Sequence, residues 1–282
     1  MTLKSIKAEL LRAREERFAV PLVNVFEMQG MEGALEALVA KRAPTIIGIY
    51  SPAAVAPNGH ALADYVRRRA ADTDVPIALM LDHGASVEIC LQVLEYGYTD
   101  VMYDGSKLPL EENIANTRRV VEAAHAVGAA VEAELGHVGQ GDDYESFGGR
   151  RAGFTDPETV EYFVKETGVD FLAIAFGNAH GLYKGEPKLD IELVAEIRRR
   201  VAVPLVMHGG TGISDEQFRL AIAAGICKVN YFTNIMLSAT RNMQAAAAQP
   251  GADMFKIYDG IRPAYVEWCS HLYDVFGTTG RA

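Results

Sequence analysis

The chain has 282 residues, 49% of them hydrophobic, and a formal charge of −10 at neutral pH. That supplies apolar material for one large core, and the acidic balance argues against nucleic-acid or anionic-membrane partners while leaving room for a phosphorylated small molecule, which needs only a few local donors. No run of about 18 uncharged apolar residues occurs, and the N-terminus reads as a charged amphipathic helix without a cleavable apolar region, so the expectation is a cytoplasmic protein with no membrane partner.

In chain order, β-rich apolar runs fall at 19–26, 45–51, 76–84, 100–105, 129–136, 171–177, 204–210 and 227–232. Their continuous apolar character suits parallel strands buried on both faces. Helix-period segments fall between them, at about 30–41, 58–72, 86–97, 109–127, 156–168, 188–201 and 214–225, with Asp156 and Ser214 as N-caps of two. Segments near 234–248 and 257–276 read as the eighth helix and a C-terminal extra helix. Strand and helix alternating eight times predict an α/β fold, a TIM (β/α)8 barrel with an N-terminal helix, as a single domain over 1–282. Cys90, Cys227 and Cys269 are odd in number, widely spaced and set in apolar surroundings, which points to buried reduced thiols.

Three segments, LDHG (81–84), NAHG (178–181) and MHGG (207–210), each put a histidine where a strand runs out into glycine. Three converging imidazoles, His83, His180 and His208, can hold one divalent metal. Asp82 precedes the first of them; extended geometry would turn it to the opposite face, unless the strand end twists enough to bring both into one mouth. Other polar residues sit at or near strand C-terminal ends, where barrel sites lie: Asn24, Asp104, Glu132, Glu134 and Asn230. His137 is the runner-up ligand, whereas His60, His125 and His271 sit in helical stretches and read as surface residues. GGTG (209–212) and NYFTN (230–234) follow the last two strands, the pair of loops that commonly binds phosphate in this fold.

Taken in order, VPLVNVF, LDHG, VMYDGS, VEAELGHVG, GNAHGLYKGEP, PLVMHGGTGIS and GICKVN resemble the class II, metal-dependent ketose-bisphosphate aldolases along nearly the whole chain. The resemblance implies reversible cleavage of a ketose 1-phosphate or 1,6-bisphosphate to dihydroxyacetone phosphate and an aldehyde. It implies zinc or another divalent ion on His83, His180 and His208, a monovalent cation as a further cofactor, and Asp82 as the proton-transfer residue. It also implies a ketose-phosphate site of Asn24, Gly181, Gly209, Gly210, Thr211, Asn230, Tyr231, Phe232 and Thr233, a second or displaced metal on Asp104 and Glu134, and a homo-oligomer, dimer or tetramer. The physical logic agrees: cleavage leaves an enediolate, whose charge a divalent ion stabilises.

The chain departs from the family pattern after strand 5. There GQGDDYESFGGRRAGF replaces the usual GGQEDD, so Asp142, with Glu145 nearby, takes the place of the glutamate that moves the carbon-bound proton, on a glycine-rich lid. Tyr231 and Phe232 are larger than the family's residues, and its serine after strand 2 aligns with Tyr50 or Ser51. Arg262, of this chain or of a neighbouring subunit, matches an arginine of some bisphosphate-cleaving relatives and would offset the charge of a second phosphate. These departures predict that fructose 1,6-bisphosphate is not the best substrate. Two alternatives remain: a barrel metal hydrolase, which would open with paired histidines on strand 1 where Asn24 and Phe26 stand, and a non-catalytic partner subunit, which predicts lost ligands.

Overall fold

The computed structural model describes residues 3–140, 153–183, 185 and 187–282. Its strands are β1 (Val20–Asn24), β2 (Thr45–Tyr50), β3 (Ile77–Gly84), β4 (Asp100–Tyr103), β5 (Ala130–Leu135), β6 (Gly139–Gln140), β7 (Phe171–Ile174), β8 (Ala179–His180), β9 (Leu205–Met207) and β10 (Ile226–Tyr231). Eight of them close into a parallel barrel in the order β1-β10-β9-β7-β5-β4-β3-β2. This is the expected TIM barrel. The two short strands β6 and β8 pair with each other above it, an element the sequence reading did not contain.

Inward-facing positions follow the two-residue period of a strand and change character along it. Val20 and Leu22 lead to Asn24, Ala78 and Met80 to Asp82, Ala130 to Glu132 and Glu134, and Val206 to His208. The N-terminal half of the barrel interior is therefore apolar and the C-terminal half polar. Alternate residues, among them Val23, Leu79, Leu81, Val131 and Val229, face the helix layer.

The expected N-terminal helix, α1 (Lys7–Glu16), closes the apolar end: Ile6, Leu10 and Ala13 are buried in one cluster with Leu22, Met80 and Phe171. Truncating Leu10 to alanine would cost about 2–5 kcal/mol, as for other filled core sites. The outer layer comprises α2 (Met28–Lys41), α3 (Ser51–Ala54), α4 (Gly59–Ala70), α5 (Val87–Glu95), α6 (Leu110–Ala126), α7 (Pro157–Thr167), α8 (Ile191–Arg200), α9 (Asp215–Ala224) and α10 (Thr233–Ala247). After α11 (Met254–Tyr258), the extra helix α12 (Ile261–Phe276) lies against α2. Asp156 and Ser214 cap α7 and α9 as expected, Ser214 in a reciprocal capping box with Gln217. Cys90, Cys227 and Cys269 are buried free thiols. Among the described residues no helix is long and apolar enough to cross a membrane.

Candidate active site

The polar end of the barrel opens into a cavity of about 460 Å³, within the range of small-molecule sites. At its floor three imidazole nitrogens converge. His83 Nε2 lies 3.1 Å from His180 Nε2 and 3.0 Å from His208 Nδ1. Those separations approach the edge of a tetrahedron, about 3.3 Å, around an ion bonded to imidazoles at about 2.0–2.1 Å.

The far side of each ring is anchored, which sets its tautomer. His83 Nδ1–H donates to Asp104 Oδ2 at 2.9 Å, and Ser106 holds the other Asp104 oxygen through its backbone N–H and hydroxyl. His208 Nε2–H donates to Glu132 Oε1 at 2.8 Å. His180 hydrogen-bonds with the Val138 main chain. Each ring thus aims a lone pair at one point, with a carboxylate or carbonyl behind it, as in metal-binding histidines generally.

Electrostatics favour a cation there. Burial, reinforced by the charges of its neighbours, pushes His208 well below its usual range and His180 down to about 4. Burial also depresses His83, but Asp82 and Asp104 outweigh it and raise that ring to about 9. Of the three rings His83 therefore holds the positive charge, on Nε2, and a divalent ion would take that proton's place and free the lone pair for coordination. Burial likewise raises Asp82, but His83, His208, Lys228 and the Asn24 amide bring it below its ordinary value, so it stays ionised.

Asp82 is buried on the same floor, its carboxylate between two amides: Asn24 Nδ2 donates to Oδ2 and Asn230 Nδ2 to Oδ1, each at 2.9 Å. A second donor cluster adjoins it, in which His83, Asp104 and Glu134 offer ligand atoms within 4.8 Å of one another. Burial first, then the Asp104 charge, pushes Glu134 up to about 8. Its Oε1 accepts the Val138 N–H at 3.0 Å, while Oε2 is buried without a hydrogen-bond partner among the described residues.

One wall of the cavity is made of Gly181, Gly209, Gly210, Thr211, Phe232 and Thr233, so the glycine loop and the segment after β10 do share a site with the histidines. Gly209 has φ 69°, and a methyl group there would run into the Ala179 carbonyl, so the close approach of the two loops requires glycine. The opposite wall carries Tyr50, Lys107 and His137. Tyr50, not the buried Ser51, takes the place after β2.

Of the expected site residues, Tyr231 lines the cavity through a ring that leans outward, Arg262 lies away from it in this chain, and two lie outside the described residues. Tyr231 borders the cavity, but its ring packs outward on Phe218 and Trp268 and its hydroxyl accepts from Asn234, because it is one residue out of phase with inward Asn230. It does not narrow the mouth. Phe232 does, pairing with Phe26 at 5.0 Å between ring centroids. Arg262 lies outside the cavity lining, its guanidinium 2.7 Å from Glu36 on α2. Asp142 and Glu145 fall outside the described residues. His137 contacts Ser106 at 3.3 Å and joins neither donor cluster; His60, His125 and His271 are exposed.

The sequence reading missed Lys107, whose loop position carries no periodic signal, and Lys228, which was placed early in its strand. The two-residue phase with Asn230 already puts Lys228 inside the barrel.

A model of the family described as fructose-bisphosphate aldolase class-II matches residues 4–281. The chain belongs to this family. It is 37% identical to the fructose-bisphosphate aldolase of Staphylococcus aureus, with all of both chains aligned, and 38% identical to that of Geobacillus stearothermophilus, covering all of this chain and 99% of that one. Its structure superposes on the YdjI aldolase of Escherichia coli K12 with a TM-score of 0.89 and 31% identity over 99% of each chain. Class II aldolases depend on a divalent metal, and the three-histidine floor fits one. The protein is an aldolase, a lyase of carbohydrate metabolism.

Proposed function

We propose that this aldolase is a zinc enzyme that cleaves a ketose 1-phosphate between C3 and C4 into dihydroxyacetone phosphate and an aldehyde, and runs the reverse condensation. The observation that carries the reading is the convergence of three anchored imidazoles beside an ionised, amide-clamped Asp82 in one cavity. His83, His180 and His208 hold the metal. When bound, it supplies a Lewis acid for the negative charge that develops on the ketose fragment.

Asp82 accepts the proton of the C4 hydroxyl. As the C4 oxygen becomes the aldehyde carbonyl, the electron pair of the C3–C4 bond passes to C3. Asn24 and Asn230 keep the carboxylate fixed and ionised for that step. The ketose phosphate lies along Gly181, Gly209, Gly210, Thr211 and Thr233, where the start of α10 adds its dipole, leaving the aldehyde half against Tyr50, Phe26, Phe232 and Lys107. Asp104 and Glu134 would offer donors for a second or displaced metal, a role the unpartnered Glu134 oxygen supports. A monovalent cation near the phosphate loops, a homo-oligomeric assembly of these single-domain chains and a cytoplasmic location complete the reading.

Measuring bound metal and cleavage on one preparation tests it. Chelation should abolish activity, and Zn²⁺ should restore it. Full activity without metal, or borohydride trapping of substrate on a lysine, overturns it.

A further inference from the structure

Beneath the metal floor, inside the barrel, lie two charged side chains that never reach the cavity. Lys228 on β10 and Glu132 on β5 are both 0% exposed, with Lys228 Nζ 2.7 Å from Glu132 Oε2. Such a buried pair contributes little net stability over an apolar pair of similar size, and removing one member alone is strongly destabilising. Its retention therefore calls for another role, and its remaining bonds indicate one. Glu132 Oε1 accepts the His208 Nε2–H at 2.8 Å. Lys228 Nζ also donates to Asn230 Oδ1 at 2.7 Å.

Each bond leaves its partner a single orientation. With the Asn230 carbonyl on the ammonium, the amide nitrogen must point up, where it donates to Asp82 Oδ1 at 2.9 Å and sits 3.3 Å from His208 Nδ1. A flipped amide would set N–H against ammonium and carbonyl against carboxylate, both repulsive. With Glu132 Oε2 taken by Lys228, Oε1 is left to accept from His208, which keeps the proton on Nε2 and the Nδ1 lone pair facing His83. One ammonium thus governs two groups that do different work.

We propose that Lys228 is a positioning residue that acts through Glu132 on the metal-donor nitrogen of His208 and through Asn230 on the carboxylate of Asp82. It is not a nucleophile: it is sealed from the cavity and engaged on two sides. The proposal rests on the roles given above to His208 and Asp82.

The test compares wild type with Lys228→Met and with the double variant Lys228→Met/Glu132→Gln, which removes both charges together and so leaves no lone buried ion. The readouts are the Zn²⁺ dissociation constant, by competition with a chromophoric chelator, and kcat and KM for cleavage at saturating Zn²⁺. In the double variant, Zn²⁺ affinity should fall about 10- to 100-fold, the usual cost of losing an anchor behind a ligating histidine. At saturating Zn²⁺ its kcat should fall at least about tenfold with KM changed less than about threefold, the sign of a group acting in the transition state. Lys228→Met should show both defects, with a lowered thermal midpoint. A purely structural pair predicts that the neutral double variant recovers wild-type values. Wild-type Zn²⁺ affinity in the double variant, or an unchanged kcat, overturns the proposal. A wild type that neither binds Zn²⁺ nor cleaves would instead overturn the proposed function.

Discussion

Asp82 and His83 are consecutive residues, yet both side chains face the same cavity, with Asp82 Oδ1 3.9 Å from His83 Nε2. Regular strand geometry would send them to opposite sides. Here His83 has φ 53°, in the left-handed region, and the pairing of β3 with β4 slips between Leu81 and Gly84. A non-glycine residue in that conformation costs about 1–3 kcal/mol, and the 2.9 Å bond to Asp104 helps hold it there. The strained turn puts an imidazole of the three-histidine cluster and a carboxylate side by side in one cavity.

The two roles should therefore separate on mutation. Asp82→Asn and Asp82→Ala should retain wild-type metal content yet lose about two to four orders of magnitude in cleavage rate, the usual worth of a positioned acid or base. Metal analysis on the assayed samples decides the matter. If metal disappears with activity, Asp82 is a ligand or a support and its assigned role is wrong.

Removing any one imidazole should have the opposite profile. His83→Ala, His180→Ala and His208→Ala should each lose bound metal and all measurable cleavage. Asp104→Asn, which leaves the ligands in place but weakens the anchor of His83, should lower metal affinity about 10- to 100-fold. Titration with Zn²⁺ should recover activity in Asp104→Asn but not in the three alanine variants. Full rescue of His208→Ala at millimolar Zn²⁺ would remove that residue from the ligand set.

The barrel was legible because eight apolar runs alternating with helical segments leave few other closures, and the convergence of the histidines because three of them precede glycine at strand ends. The turn at His83 was only half legible, since a local twist depends on the neighbouring strand's register. Tyr231 lines the cavity, but the direction of its ring and the partner of Arg262 were not read from the sequence, for different reasons. Strand phase alone sends Tyr231 outward, a signal present in the sequence and overridden by similarity to a loop. Arg262 aligns by position, but the packing of α12 on α2 brings Glu36 within reach of its guanidinium, which no pattern along one helix reveals.

Asp142 and Glu145 remain sequence-based candidates for the group that exchanges the carbon-bound proton. Of the described residues on either side of them, Glu134 borders the histidine floor and Thr155 is tied to the Leu135 carbonyl. Asp142→Ala or Glu145→Ala should slow tritium exchange into dihydroxyacetone phosphate more than it weakens binding of that ligand. Unchanged exchange in both variants would remove both residues from the mechanism.

Acid stability should depend on a pair far from the site. Arg69 on α4 holds Glu32 on α2 through two bonds of 2.6 and 2.8 Å, and Tyr65 adds one of 2.6 Å. The Arg69 hydrogen bonds, with help from Tyr65, hold the Glu32 carboxyl at about 2. Its folded value lies below the unfolded one, so the stabilisation is present above about pH 4.5 and lost as pH falls towards 2. Glu32→Gln should destabilise by about 1 kcal/mol near pH 6, given partial exposure, and the gap to wild type should narrow between pH 5 and pH 3. Thermal midpoints at three pH values suffice; a constant gap would mean that the pair contributes no linkage.

The substrate prediction survives with altered grounds. The Tyr231 ring turns onto Trp268 although the residue borders the cavity, and Arg262 is engaged with Glu36 within this chain. What stands at the mouth is the Phe26–Phe232 pair, Tyr50 edge-on to His83 at 6.4 Å, and Lys107, the only lysine or arginine among the described lining residues. A single exposed ammonium is a weak partner for a dianion, worth up to about 1 kcal/mol, or about fivefold in affinity. Aromatic surface, by contrast, favours an aldehyde half with apolar or ring faces. A ketose 1-phosphate lacking a second phosphate should therefore show a higher kcat/KM than fructose 1,6-bisphosphate, and Lys107→Met should lower the bisphosphate value about two- to fivefold while leaving the monophosphate nearly unchanged. If fructose 1,6-bisphosphate reaches about 10⁴ M⁻¹s⁻¹ or more, an ordinary enzyme value, and no monophosphate matches it, the second phosphate is recognised by a group other than Lys107 and the prediction is wrong.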